Sequence, residues 1–451
     1  MKIIPFLAAL AAFIRPANAA PGDLDLTFGG TGIVTTDFGN GGSGRDVAIQ
    51  SDGQIVVVGE AYVGSSYDMA LVRYNANGSL DTTFNGSGKV TTAFGSGSDN
   101  GNSLVIQSNG KIVVAGTAWN GLKYDFALGR YNANGTLDTS FNGTGKVTTT
   151  FGNIEDVGSS ILAQSDGKLM VAGYSRSGDG SSYDIALARY NPNGTLDTTF
   201  HGNGKVTTAI GSSSGAAGHT SVTIQSDEKI VVGGSSRNAT GNDDFAVMRY
   251  NIDGSLDTTF NGTGIATTDF NGGFDFGQSI TVMNDGKILL AGYSTIGGNF
   301  DIALVRYNAD GTLDLDFNGT GKVTTDFGLN VVGASVAVQN SGEIVVVGSS
   351  NNSIGTDSDF AVARYNANGS LDTNFNGTGK VTTSLGTNYD SGFSVALQSN
   401  GKIVVAGASV NGTRSIFAVV RYEGDTSVPE PSTCMLIGLV IPALLGLLRR
   451  R

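Results

Sequence analysis

Residues 22–39 read GDLDLTFGGTGIVTTDFG, and residues 79–95 read SLDTTFNGSGKVTTAFG. The later copy follows LVRYNANG at 71–78; the earlier one has no such lead-in. The chain therefore opens partway through a repeated unit. Arg-Tyr recurs at 73–74, 130–131, 189–190, 249–250, 306–307, 364–365 and 421–422. Leu-Asp recurs at 24–25, 80–81, 137–138, 196–197, 256–257, 313–314 and 371–372. Both series have seven members, spaced 56 to 60 residues apart. A period of that size points to an array of similar units, none of which buries its apolar face alone.

Each unit holds four strand-like segments, as in SVALQ (394–398), KIVVAG (402–407), DFAVARYN (359–366) and KVTTDFG (322–328). KIVVAG is almost continuously apolar, as a strand covered on both faces requires. KVTTDFG is threonine-rich and alternates weakly, as an outer strand half in water does. The first two segments are joined through Asp52-Gly53, Asn109-Gly110, Asp166-Gly167, Asp285-Gly286 and Asn400-Gly401. Such pairs predict I′ turns with both central residues at positive φ. Asp227-Glu228 departs from this pattern and puts Glu228 under strain.

Four strands graded from dry to wet, in seven units, give an all-β fold: a seven-bladed β-propeller of four-stranded antiparallel blades over residues 22–423. A solenoid is the competitor, but its coils run to about 20–30 residues and it needs polar end caps. The seventh unit ends at Tyr422 without an outer strand, and the orphan GIVTTDFG at 32–39 supplies one. The N-terminal strand thus completes the last blade and closes the ring, leaving no blade with an open edge.

Sixty-eight glycines serve the many turns, and only Pro192 lies between Pro21 and Pro429, as strands that need their N–H groups demand. The formal charge of −12 becomes more negative still without the basic residues of the two end segments. Nucleic acid and anionic lipid are poor partners for such a body. Cys434 is the single cysteine, so no intramolecular disulfide and no cysteine-rich zinc site can form. No cofactor is expected.

Residues 1–20 carry Lys2, an apolar run and Ala17-Asn18-Ala19, the pattern of a secretory signal peptide. Residues 424–433 form a linker, and 434–451 an apolar segment with a basic end. As a helix, the uncharged run 434–448 would reach about 22 Å, short of a hydrocarbon core of about 30 Å. Val428-Pro429-Glu430-Pro431-Ser432-Thr433 before this tail resembles the PEP-CTERM sorting signal. The resemblance implies a Gram-negative envelope protein recognised at Pro429, Glu430 and Pro431 by an exosortase-type transpeptidase. It also implies tail removal, delivery of the body to the surface or extracellular matrix alongside exopolysaccharide, and membrane contact only through the unprocessed tail. The phrases DFAVARYNANGSLDTNFNGTGKVTT (359–383) and ALQSNGKIVVAG (396–407) resemble the delta-60 repeat family of bacterial extracellular proteins over residues 22 to about 422. That likeness implies a secreted propeller and no particular reaction. The strand order is similar to that of NHL-type propellers.

The in-register arginines and aspartates predict one Arg–Asp or Arg–carbonyl tie per blade. Asp314, Asp316 and Asn318 match the first half of a calcium loop, but position twelve is Thr325, so the stretch reads as a turn. His201 and His219 lack partners for a triad or a metal site. The connections that vary between copies place Asp99, Asn102, Trp119, Asp156, His219, Asp275 and Tyr389 on one rim, suited to sugar or peptide contact. The inner-strand starts hold Arg45, Asn102, Ser159, Thr220, Gln278, Ala334 and Phe393, which is no metal set. These features predict an exported, non-enzymatic propeller that presents variable loops to a protein or a polysaccharide. The alternative is a secreted hydrolase or lyase with a metal-dependent site in the central channel.

Overall fold

The computed structural model describes residues 19–152, 154–180, 182–211, 220–351, 357–386 and 389–425. The signal-like residues 1–18, His219 and the motif at 429–431 lie outside them. Among the described residues, 28 strands form seven four-stranded antiparallel sheets. Blade 1 comprises β2 (Gly42–Ile49), β3 (Ile55–Val63), β4 (Ser66–Tyr74) and β5 (Lys89–Thr92), from axis to rim. Blades 2 to 6 repeat this order.

The seventh sheet closes the ring as the sequence predicts. It contains β26 (Asp390–Leu397), β27 (Ile403–Asn411), β28 (Arg414–Tyr422) and, as its outer strand, β1 (Ile33–Thr36). Ile33 lies opposite Val420 and Thr36 opposite Phe417. Backbone hydrogen bonds prolong the join: Asp25 donates to Arg421, Arg421 to Gly32 and Glu423 to Asp23.

The second and third strands of each blade carry the core. Ile55 to Val58 and Met69 to Val72 are fully buried, because each sheet is covered on both faces by its neighbours. The seams between blades are built from three repeated locks. First, the Arg-Tyr tyrosine of each blade hydrogen-bonds an outer-strand threonine of the preceding blade, from Tyr74–Thr36 at 2.7 Å to Tyr422–Thr383 at 2.8 Å. Second, each phenylalanine of the FNG-type turn is fully buried, and the arginine of its own blade lies over the ring at 4.4–5.0 Å. Third, that same arginine binds its aspartate, as Arg130 Nε does Asp138 at 2.6 Å, and reaches across the seam to a turn carbonyl, as Arg130 Nη1 does to Pro192 at 2.5 Å. At the seam between blades 6 and 7 the acceptor is a side chain, Asp425, which takes two bonds of 3.0 Å from Arg364. Both predicted kinds of tie, Arg–Asp and Arg–carbonyl, are therefore present in one side chain.

The hairpins differ from expectation. Gly53 is at φ 84°, but Asp52 is not at positive φ; Gly53 N–H bonds Gln50 O and Gln50 N–H bonds Gln54 O. This is a type I turn followed by a left-handed glycine, a three-residue loop in place of I′. Asp52 Oδ1 accepts the Gln54 N–H at 3.0 Å, which fixes the aspartate in the turn. Glu228 occupies the glycine position at φ 65° and bears the strain foreseen for it.

Three outcomes test these seams. Removing residues 22–39 exposes the edge of β28 and should lower the melting temperature by roughly 10 °C or more; an unchanged melt by calorimetry would contradict the closure. Arg364→Ala removes the cation paired with buried Asp372, which has no lysine partner among the described residues, and should cost about 3–5 kcal/mol in urea unfolding. For the third, burial raises the pKa of Asp197, but bonds from Thr199 and Lys168 and the Arg189 charge outweigh it and hold the group at about 2. Asp25, Asp81, Asp138, Asp257 and Asp314 are likewise lowered. Depressed acids stabilise the fold above their ordinary value of 3.8 and lose that contribution as pH falls through the folded value. Thermal melts should therefore show no loss of stability from pH 7 to about 4 and a steep loss from about 4 to 2.

Candidate functional site

The inner strands are shaped by a repeated bulge. In six of them the register slips by one residue between a glycine and the residue two positions on, as between Gly44 and Asp46 or Gly101 and Ser103. The extra residues are Arg45, Asn102, Ser159, Gln278, Ala334 and Phe393, and a bulge re-aims its side chain. Together with Thr220, they line one cavity of about 570 Å³ on the propeller axis. The glycine permits close approach of neighbouring blades: a Cβ on Gly277 would stand 2.4 Å from the Gly234 carbonyl oxygen.

A ring of side-chain acceptors surrounds the axis one residue further along. Ser103, Ser160, Ser221, Ser279, Ser335 and Ser394 each accept a backbone N–H from the following blade, at 3.2–3.4 Å. In blade 1 the position is Asp46, whose Oδ2 accepts the Leu104 N–H at 2.8 Å and whose Oδ1 accepts the Ser394 hydroxyl at 2.6 Å. Burial raises its pKa, against the pull of those donors.

Above this ring the cavity is asymmetric. Tyr124, Tyr174, Tyr293 and Glu155 enter its wall from blades 2, 3 and 5. Arg45, the one cation among the described lining residues, is paired twice with Glu60, at 2.5 and 2.9 Å. Glu155 is half-buried, and among the described residues no donor or cation engages its carboxylate. It sits diagonally across the sheet from Tyr174, since Glu155 pairs with Arg176 and Val157 with Tyr174. Burial, and then the Glu155 charge, push the Tyr174 phenol up, so its proton is retained. The chamber thus offers hydroxyl and amide groups, three tyrosines and one unengaged carboxylate.

The expected rim is not gathered into one site. Asp99, Asp156 and Asp275 are fully buried, each folded back into the connection that leads to its own strand. Their carboxylates accept the N–H of Phe94 at 2.6 Å, Phe151 at 2.8 Å and Phe270 at 2.7 Å. Asn102 lies in the cavity, where its Nδ2 donates to the Gly158 carbonyl at 2.8 Å. Trp119 is half-buried with its ring 5.1 Å from Tyr124, and Tyr389 is exposed. His219 lies outside the described residues.

The calcium-like stretch is a turn. Asp314 holds Arg306 at 2.6 Å and Lys287 at 2.8 Å, while Asn318, at φ 51°, donates to Lys322 O; Asp316 is exposed. One acid group comes closer to a metal set: Asp244, Asp269 and Asp275 bring carboxylate oxygens within 4.8 Å of one another. Burial and then its two neighbours' charges, set against bonds from Ser294 and Phe270, raise Asp275 to about 6. The corresponding positions two blades earlier are Asp125, Thr150 and Asp156, and there Lys123 Nζ lies 3.4, 2.6 and 3.0 Å from them. The metal-in-channel alternative is not met by this group, which does not line the cavity.

Sequence comparison between the copies could have found Asp46, which replaces serine in an otherwise uniform column. Glu155 and the tyrosines carried no such signal, because they sit in or beside connections that vary.

Comparison with solved structures returns propellers. A protein of unknown function from Dyadobacter fermentans is 10% identical, with 87% of this chain and 99% of that one covered and a TM-score of 0.47. A polysaccharide lyase acting on ulvan, solved with a sugar fragment bound, is 13% identical, covers 87% and 96%, and has a TM-score of 0.46. An α-L-arabinofuranosidase from Fusarium graminearum, solved with an iminosugar inhibitor, is 13% identical, covers 71% and 92%, and has a TM-score of 0.46. At these values the likeness is one of fold. The non-enzymatic expectation is corrected on the chamber's own lining, which holds a carboxylate and tyrosines that the inner-strand positions alone did not reveal. No curated protein matches the chain. A family profile matches residues 50–84, 107–141, 164–200, 225–260, 284–317, 339–375 and 398–428, more than half of the sequence and one segment per blade. The chain belongs to the family described as a β-propeller domain of unknown function, DUF5122.

Proposed function

We propose that this propeller is a carbohydrate-active enzyme whose site is the axial chamber. The observation that carries the reading is the unengaged Glu155 carboxylate beside Tyr174 in a cavity of about 570 Å³ lined by hydroxyl and amide groups. Such a wall satisfies the many hydroxyls of a sugar, and the tyrosine faces cover its apolar C–H surface. Tyr174 donates its phenol proton to the departing glycosidic oxygen, while Glu155 accepts a proton from the attacking water. Arg45 is held by Glu60 and adds no free positive charge, so the chamber favours neutral or amine-bearing sugars over polyuronates. The sequence motifs support export through residues 1–20 and sorting at Pro429, Glu430 and Pro431 by a transpeptidase.

The purified protein should release reducing ends from at least one of β-glucan, xylan, arabinan or chitosan. Glu155→Gln should lower kcat on that polymer at least ~100-fold while KM moves little. No release from the panel, or a fully active Glu155→Gln protein with an unchanged melt, would overturn the assignment.

A further inference from the structure

Blade 3 sets an acid opposite an arginine beside the chamber. Glu155 of β10 (Glu155–Ala163) lies directly across from Arg176 of β11 (Leu169–Arg176), and Arg176 lies across from Tyr183 of β12 (Tyr183–Tyr190). Val157, Tyr174 and Ile185 form the row two residues on. Directly opposed residues share a face of the sheet, and so do residues two apart on one strand. Glu155, Arg176, Tyr183 and Tyr174 therefore stand on one face of blade 3, and from it Glu155 and Tyr174 enter the chamber wall.

The guanidinium of Arg176 is incompletely used. Its Cζ lies 5.4 Å from the centre of the Tyr183 ring, and Nη2 reaches the Gly180 carbonyl at 3.4 Å. Its Nε is buried and meets no acceptor among the described residues. The same position in blade 4 is Arg237, and there Asp243 stands in the place of Tyr183 and takes Nε and Nη2 at 3.1 and 2.8 Å. Arg176 lacks that acid, so its charge is left to act on its neighbours in the sheet: Glu155, and the edge-to-face ring pair of Tyr174 and Tyr183, whose centres are 5.4 Å apart.

The proposed reaction gives this charge a task. Burial first, and then Glu155 and Tyr183, push the Tyr174 phenol up, while the Arg176 charge pulls it down. A phenol that holds its proton so firmly is a useful donor only if the phenolate left behind is stabilised, and a cation close by favours that charged form. We infer that Arg176 is a positioning residue for Tyr174: its underused guanidinium, on the same face of blade 3, stabilises the phenolate that forms as the proton passes to the departing glycosidic oxygen. The inference rests on the proposed site and adds to it a residue that acts through the proton donor. Glu155 gains the proton of the attacking water, and one proton passed from Glu155 through water to the phenolate restores both groups.

The test compares two leaving groups. Wild-type protein, Arg176→Gln and Arg176→Lys are assayed on whichever of β-glucan, xylan, arabinan or chitosan is cleaved, and on the 4-nitrophenyl glycoside of the same sugar, whose leaving group departs without a proton. Arg176→Gln should lower kcat on the polymer at least roughly tenfold with KM little changed, and leave kcat on the aryl glycoside within about threefold of wild type. The aryl glycoside also reports that the variant is folded. Arg176→Lys keeps the charge and should recover most of the loss on the polymer. An equal loss on both substrates, no loss on the polymer, or no recovery by lysine would overturn the role of Arg176 while leaving the chamber as the site. A wild-type protein that cleaves neither kind of substrate would overturn the proposed site and this inference together.

Discussion

One arginine per blade holds this molecule together across its seams. Its guanidinium neutralises an aspartate of the same blade, covers a buried phenylalanine and donates to the backbone of the next blade. Burying a charge is costly unless every hydrogen-bonding direction is used. Here the planar fork uses them on two blades at once, so the cost is met only when the neighbouring blade is in place. Repeated seven times, that condition favours a closed ring, because an open array would leave one arginine short of its cross-seam acceptor. The seam between blades 6 and 7 shows the same dependence, with the Asp425 carboxylate as the acceptor in place of a turn carbonyl.

Ring closure in turn creates the site. The chamber is assembled from one bulged residue per blade, with Arg45 and Phe393 brought side by side although 348 residues of chain separate their neighbours Asp46 and Ser394. The ring of serine acceptors, with Asp46 in the seventh place, supports the inner strands alike, while Glu155 and the tyrosines make the wall above it asymmetric.

Much of this was readable before any coordinates. Seven Arg-Tyr and seven Leu-Asp pairs gave the blade count, and the orphan strand at 32–39 gave the closure, because a missing strand in a strict repeat is visible as arithmetic. Contacts between blades were less legible. The Tyr–Thr lock joins Tyr131 to Thr92 at 2.8 Å, and nothing in either segment says that they meet. The hairpins were misassigned because Asp-Gly fits both a I′ turn and a type I turn with a left-handed glycine; the hydrogen bonds that decide between them lie one residue outside the pair. Asp99, Asp156 and Asp275 looked like rim residues because they stand in variable connections, yet each carboxylate turns inward to satisfy a backbone N–H. Variation in loop length showed which face was free to change but not which side chains pointed out of it.

Native-state hydrogen exchange of the full chain tests the closed ring most directly, by following the ladder amides of β1 between Ile33 and Thr36. If the N-terminal strand is an integral part of the seventh blade, those amides exchange as slowly as the ladder amides of β28 and open only with the whole domain. Exchange of β1 at the rate of an unstructured peptide, with β28 still protected, would contradict the closure and, with it, the geometry of the chamber.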